Sequence, residues 1–159
     1  IPVRSGRKID SEVLLRLATE TSNIVAVKDA AGNPAETAKV IRDAPAGFEV
    51  YSGDDGLTLP LLALGAVGVI SVAAHWCAGE HVAMFDAWEA GDAALAQKIN
   101  TKLLESFDFE SGDDAPNPVP TKAMLRTIGL RVGEPRLPMG PTPEGLEDRA
   151  REVYARLKK

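Results

Sequence analysis

The stretch Asn23-Ile24-Val25-Ala26-Val27-Lys28-Asp29 decides how the rest of the chain is read. A short apolar run rich in β-branched residues predicts a fully buried strand of a parallel sheet. Asp29-Ala30-Ala31-Gly32-Asn33 then ends the strand, which places the Lys28 amine at its carboxyl end. In (β/α) barrels and open α/β sheets that end carries the chemistry. Low-dielectric walls favour a neutral amine, and a neutral amine attacks a carbonyl to form a Schiff base. The competing reading makes Lys28 a solvated strand end without chemistry, so the neighbouring segments must discriminate.

Working outward, Ile1 to Gly6 reads as a strand tail and loop, because Pro2 and Gly6 both oppose a helix. Asp10 or Ser11 caps a helix with Val13, Leu14, Leu17 and Ala18 on one face. After the lysine strand, Asn33-Pro34-Ala35-Glu36 opens a second helix. Asn33 caps it, Pro34 takes its first position, and Glu36 can complete a capping-box-like exchange. Phe48 to Ser52 is a second strand, and Gly53-Asp54-Asp55-Gly56 turns it into a helix bearing Leu57, Leu61 and Leu64. Gly65 to Val72 contains a third strand. Repeated β-then-α units of this kind predict a parallel sheet.

Beyond about residue 77 the strand signals stop. Val82, Phe85 and Trp88 mark one helix, and Leu95, Ile99, Leu103 and Phe107 mark another. Lys122 to Ile128 reads as a third. Thr142-Pro143 opens a last helix with Leu146, Ala150, Val153 and Leu157 inward. The expected division is an α/β segment over 1–91 and a helical domain over 92–159. Three strands and a strand tail do not close a barrel, and a small open sheet leaves edges to be paired. The organisation therefore predicts the second half of a longer polypeptide, which also accounts for a start at Ile1 rather than methionine.

Composition narrows the classes. The 159 residues are 45% hydrophobic and 26% charged, with net charge −5 and no basic stripe. Nucleic acid and anionic membranes are disfavoured as partners. A single cysteine excludes an internal disulfide framework and suits a reducing, cytoplasmic setting. No signal-peptide pattern or membrane-length apolar run is present.

Lys28, the Gly53-Asp54-Asp55 turn and Ile70-Ser71 all fall at carboxyl ends of proposed strands, where they would converge on one face of a barrel. Glycine at 53 would let a ligand approach the backbone closely. Asp54 and Asp55 are read first as helix caps. Two carboxylates there also repel phosphate, and no dinucleotide or Walker fingerprint occurs. Arg4 could hold a substrate carboxylate bidentately. His75, Cys77 and His81 lack metal-ligand spacing and are given structural or surface roles, with no metal expected. Cys77 has no evident base partner that would make it a nucleophile.

Ile1-Pro2-Val3-Arg4-Ser5-Gly6, Asn23 to Ala30, Tyr51-Ser52-Gly53-Asp54-Asp55, Gly68-Val69-Ile70-Ser71-Val72, Asn117-Pro118-Val119-Pro120-Thr121-Lys122 and Arg136-Leu137-Pro138-Met139 together resemble the dihydrodipicolinate synthase family. This is a branch of the class I pyruvate-dependent aldolases related to N-acetylneuraminate lyase. The order and spacing match that family's carboxyl-terminal half over essentially the whole chain. The resemblance implies a TIM (β/α)8 barrel followed by a carboxyl-terminal helical domain, in a homo-oligomer, typically a homotetramer. It implies a lyase of lysine and diaminopimelate biosynthesis that condenses pyruvate with L-aspartate-4-semialdehyde, with no cofactor beyond the covalent imine. Lys28 matches the Schiff-base lysine. Arg4 matches the arginine that receives the semialdehyde carboxylate, Gly53 a glycine lining the site, and Ile70 the residue whose backbone lies against pyruvate. The family's tyrosines and threonine of the proton relay lie upstream of the position matched by Ile1. The resemblance thus implies a missing amino-terminal half as partner, without which these residues are inactive.

Two other readings compete. One is a sister aldolase acting on a 2-keto-3-deoxy sugar acid. The other is a non-catalytic remnant serving as an interaction module, with Lys28 inert.

Overall fold

The computed structural model describes residues 6–112 and 115–159. It divides into two compact units, Ile1–Ser71 and Val72–Lys159. In the first, α1 (Ser11–Glu20), β1 (Ala26–Asp29), α2 (Pro34–Asp43), β2 (Glu49–Ser52), a 3-10 turn (Asp55–Leu57), α3 (Thr58–Ala63) and β3 (Gly68–Val69) follow in order. The three strands form a parallel sheet in the order β1-β2-β3. Parallel neighbours require crossovers, and α2 and α3 supply them.

The core of this unit lies between sheet and helices. Val40, Val50, Leu61 and Ala66 are buried, with Leu14, Leu15, Val27 and Ile41 packed on them. α2 starts as its sequence dictates: Asn33 Oδ1 accepts from the Glu36 amide at 3.2 Å, and Pro34 occupies the first turn. The expected return bond from Glu36 is replaced. Its carboxylate takes the Ser11 hydroxyl at 3.1 Å and the Lys39 ammonium at 2.8 Å, so it ties α1 to α2 instead of closing a capping box.

Two expectations need correction here. β1 is only partly buried along its length, because it is the outermost strand of the described sheet. In α1 the inward residues are Leu14, Leu15 and Ala18, whereas Val13 and Leu17 are exposed. The true core stripe is thus shifted by about one position from the reading of Val13 and Leu17 as inward.

The second unit consists of α4 (Ala74–Glu89), α5 (Ala93–Ser111), α6 (Val119–Thr127) and α7 (Leu146–Leu157). α4 packs with the other helices of this unit. Its buried face is Trp76, Cys77, His81, Met84 and Ala87, not the face of Val82, which is 58% exposed. A non-helical Cys77 backbone kinks the helix near its start, so one continuous 3.6-residue period does not run through it. Trp76 Nε1 donates to Ser106 Oγ at 3.1 Å and the indole meets Phe109 edge-on, joining α4 to α5. Leu146, Ala150, Val153 and Leu157 all point inward from α7, as their spacing predicts. Arg126 of α6 holds Glu147 at 2.6 Å, Glu134 at 3.2 Å and Thr142 Oγ1 at 2.9 Å, and so binds the extended segment before α7 to both helices.

Candidate functional site

Alternation along the strands sorts the side chains into two faces. Val27, Val50 and Ser52 turn toward the helices, where Val50 and Ser52 are buried. Lys28, Glu49 and Tyr51 therefore share the opposite face. The register places Lys28 beside Tyr51 and Tyr51 beside Gly68, forming one row across the sheet. Glycine at 68 gives the Tyr51 ring its place, since a Cβ there would lie 3.0 Å from two ring carbons. The phenol donates to Glu49 at 2.6 Å, and that bond to a carboxylate pushes its pKa up from the ordinary value.

Gly53 follows β2 directly. A Cβ at this position would lie 2.9 Å from Lys28 Cγ, 2.9 Å from Lys28 Cε and 2.9 Å from Ala30 Cβ. Glycine is thus required by the space the lysine side chain occupies; the residue is not in a left-handed conformation. The sequence reading singled out Gly53 for close approach of a ligand, and the group that approaches it is Lys28 itself. The Gly53 amide donates to Asp29 O at 2.6 Å, and the Ile70 amide donates to Ser52 O at 2.8 Å. Lys28, Gly53 and Ile70 therefore stand at the carboxyl ends of adjacent strands, locked to one another by backbone bonds. Ile70 keeps a half-exposed side chain. Arg4 lies outside the described residues.

The turn after β2 is rigid for reasons only partly visible in the sequence. Asp54 Oδ1 accepts from the Gly56 amide at 3.0 Å, which is the capping role expected of it. Ser52 is fully buried and its hydroxyl donates to Asp54 O at 2.7 Å. Asp29 was not singled out from sequence, yet its carboxylate accepts from the Ala31 amide at 2.9 Å and the Thr37 hydroxyl at 2.6 Å. The available signal was a carboxylate next to a strand-ending lysine and a threonine in the first turns of the following helix.

A cavity of about 90 Å³ reaches the end of β1 from the helix side, between Ser11, Leu14, Val27 and Thr37. At roughly 30 Å³ per water it holds a few solvent molecules. Lys28 and Asp29 also line it. Among the described residues no group of three or more His, Cys, Asp or Glu could hold a metal ion. His75 is exposed, with Nδ1 2.8 Å from Val72 O. His81 is buried against Phe107, with Nδ1 3.1 Å from Cys77 O. Cys77 is itself buried and donates to Ala73 O.

A strand-end lysine seated on a glycine thus stands in a row of parallel strands. Residues 1–158 match the family model described as the Dihydrodipicolinate synthetase family. The chain belongs to that family. The 4-hydroxy-tetrahydrodipicolinate synthase of Microcystis aeruginosa is 43% identical over 157 residues, covering 99% of this chain and 52% of the relative. That of Halalkalibacterium halodurans is 46% identical over 141 residues, covering 89% and 47%. Among solved structures, a dihydrodipicolinate synthase from Bacillus anthracis superposes with a TM-score of 0.90 at 40% identity, over 97% of this chain and 52% of that one. The enzyme from Cyanidioschyzon merolae, solved with lysine bound, gives 0.94 at 36% identity over 99% and 53%. The chain spans about half the length of the curated relatives it matches. Its fold is that of the second half of the dihydrodipicolinate synthase (β/α)8 barrel with the carboxyl-terminal helices. Among the described residues no helix is long and apolar enough to cross a membrane.

Proposed function

We propose that these residues supply the covalent centre of a lysine Schiff-base lyase that condenses pyruvate with L-aspartate-4-semialdehyde to 4-hydroxy-tetrahydrodipicolinate. The observation that supports it most is the seating of Lys28 against Gly53 at the strand ends, in a chain of this family. In this reading the Lys28 amine adds to the keto carbon of pyruvate, water leaves, and an imine forms. Loss of a methyl proton gives the enamine, whose carbon bonds to the aldehyde carbon while the aldehyde oxygen takes a proton. Attack of the semialdehyde's own amine on the imine carbon then closes the ring and releases Lys28. The Ile70 backbone lies against pyruvate, and Arg4 receives the carboxylate of the second substrate. The imine itself is the electron sink, so the reaction calls for no separate cofactor.

The proton relay belongs to the amino-terminal half of the barrel, which the active assembly includes, and like subunits associate in that assembly. The test is condensation by the complete, assembled protein, with Lys28→Arg as control. Wild type should consume semialdehyde only with pyruvate present, and the variant should not. Retro-aldol release of pyruvate from a 2-keto-3-deoxy sugar acid, unaffected by Arg4→Ala, would overturn the choice of acceptor. Absence of both reactions would overturn the enzyme reading.

A further inference from the structure

Lys28 does not stand on a free strand end. The residue after it, Asp29, is held at three points. Its carbonyl accepts the Gly53 amide at 2.6 Å, which joins it to the turn after β2. Its Oδ1 accepts the Ala31 amide at 2.9 Å, which folds the loop after β1 back on itself. Its Oδ2 accepts the Thr37 hydroxyl at 2.6 Å, which joins it to α2. Thr37 is 2% exposed, and its hydroxyl also lies 3.1 Å from Asn33 O. The shorter contact to the carboxylate is charge-assisted and claims the proton.

The backbone ladder already pairs β1 with β2 from Ala26 to Asp29 without help from the Asp29 side chain. What the carboxylate adds is a fixed orientation of the Lys28–Asp29 peptide relative to α2. The lysine stem leaves the Cα that begins that peptide, and Gly53 confines the stem at Cγ and Cε. A reacting amine gains rate from being held in attack geometry, and a misplacement of about 1 Å can cost on the order of 10²-fold.

We propose that Thr37 and Asp29 form a latch whose function is to position Lys28 for imine formation. Both are positioning residues, since neither meets the pyruvate carbon. The inference rests on the imine reading above and goes beyond it by assigning a role to a side chain on the opposite face of the sheet from the reaction.

The experiment is borohydride trapping of the pyruvate adduct in single turnover, at saturating pyruvate, on the complete, assembled protein. Wild type, Thr37→Val and Thr37→Ser are compared, with circular dichroism and thermal unfolding confirming that each is folded. Thr37→Val should trap roughly tenfold more slowly, with half-saturation by pyruvate nearly unchanged, because attack geometry rather than binding is disturbed. Thr37→Ser restores the hydroxyl and should recover the rate to within about twofold. A folded Thr37→Val that traps at the wild-type rate would overturn the latch, as would a Thr37→Ser no faster than Thr37→Val. If Thr37→Val does not fold, Asp29→Ala is judged by the same rate criterion, because it removes both carboxylate acceptors. A wild-type protein that forms no adduct would overturn the imine reading itself, an outcome distinct from failure of the latch alone.

Discussion

Replacing Gly53 by alanine tests the seat of Lys28 most sharply. The new Cβ would meet three carbons at 2.9 Å, namely Lys28 Cγ, Lys28 Cε and Ala30 Cβ. Ordinary carbon contacts lie at about 3.5–4.0 Å, so each is overlapped by about 0.6–1.1 Å. Ala30 Cβ is fixed to the backbone and cannot rotate away. Lys28 is struck at two points along its stem, so a small bend near the amine does not relieve the clash and the whole rotamer must change. Overpacking of this kind costs about 1–3 kcal/mol. Loss of glycine's freedom in the unfolded chain returns about 0.4–1 kcal/mol. A net destabilisation of about 0–2.6 kcal/mol, centred near 1.3, follows from those two ranges. The amine, displaced by about 1 Å, should react roughly 10²-fold more slowly with pyruvate. Adduct trapping gives the rate and thermal unfolding gives the stability. A Gly53→Ala protein with wild-type trapping and unchanged stability would refute the steric argument.

Other perturbations separate the site from its support. Gly68→Ala brings a Cβ to 3.0 Å from two carbons of the half-exposed Tyr51 ring. The ring can slide, so calorimetry should show a loss of about 1 kcal/mol and trapping should slow less than for Gly53→Ala. Arg126→Met removes the ion pairs to Glu134 and Glu147 and the bond to Thr142. Bonds to charged groups contribute about 1.5–3 kcal/mol, so denaturant unfolding should show a loss of about 2 kcal/mol. Glu80 is pushed up by burial but is held below its usual 4.5 by the Lys158 ammonium at 2.6 Å, whose effect is the larger in sum with its own backbone and Lys102. Its folded value lies below the unfolded one, so the stability it contributes is complete above about 4.5 and falls as pH drops through the folded value. Lys158→Met should therefore lower the melting temperature at neutral pH and flatten its decline on acidification, as read by unfolding scans at several pH values.

Much of the site could be read from the chain because its signals are local. A β-branched run ending in Lys28 locates the strand end, and Asn33-Pro34 locates the helix that follows. The inward stripe of α7 was equally plain, being a regular spacing on a helix with one polar face. What escaped reading depends on contacts between distant residues. The bond from Thr37 to Asp29 crosses eight positions and an element boundary. That from Trp76 to Ser106 crosses thirty. Val82, Phe85 and Trp88 marked a helix in the sequence, but its buried face runs through His81, Met84 and Ala87, one position earlier, and Val82 belongs to solvent. Ser52 gave no sign of burial, since a serine before a glycine turn reads as loop chemistry. Burial of β1 was overestimated because an apolar run announces hydrophobicity but not the strand's place in the sheet.

The central claim is that Lys28 is the nucleophile. Its most direct test is peptide mapping by mass spectrometry of the complete, assembled protein after incubation with pyruvate and borohydride. One reduced pyruvate adduct is expected, on the peptide containing Lys28 and absent from Lys28→Arg. An adduct on another lysine, or no adduct in a folded and assembled protein, would contradict it.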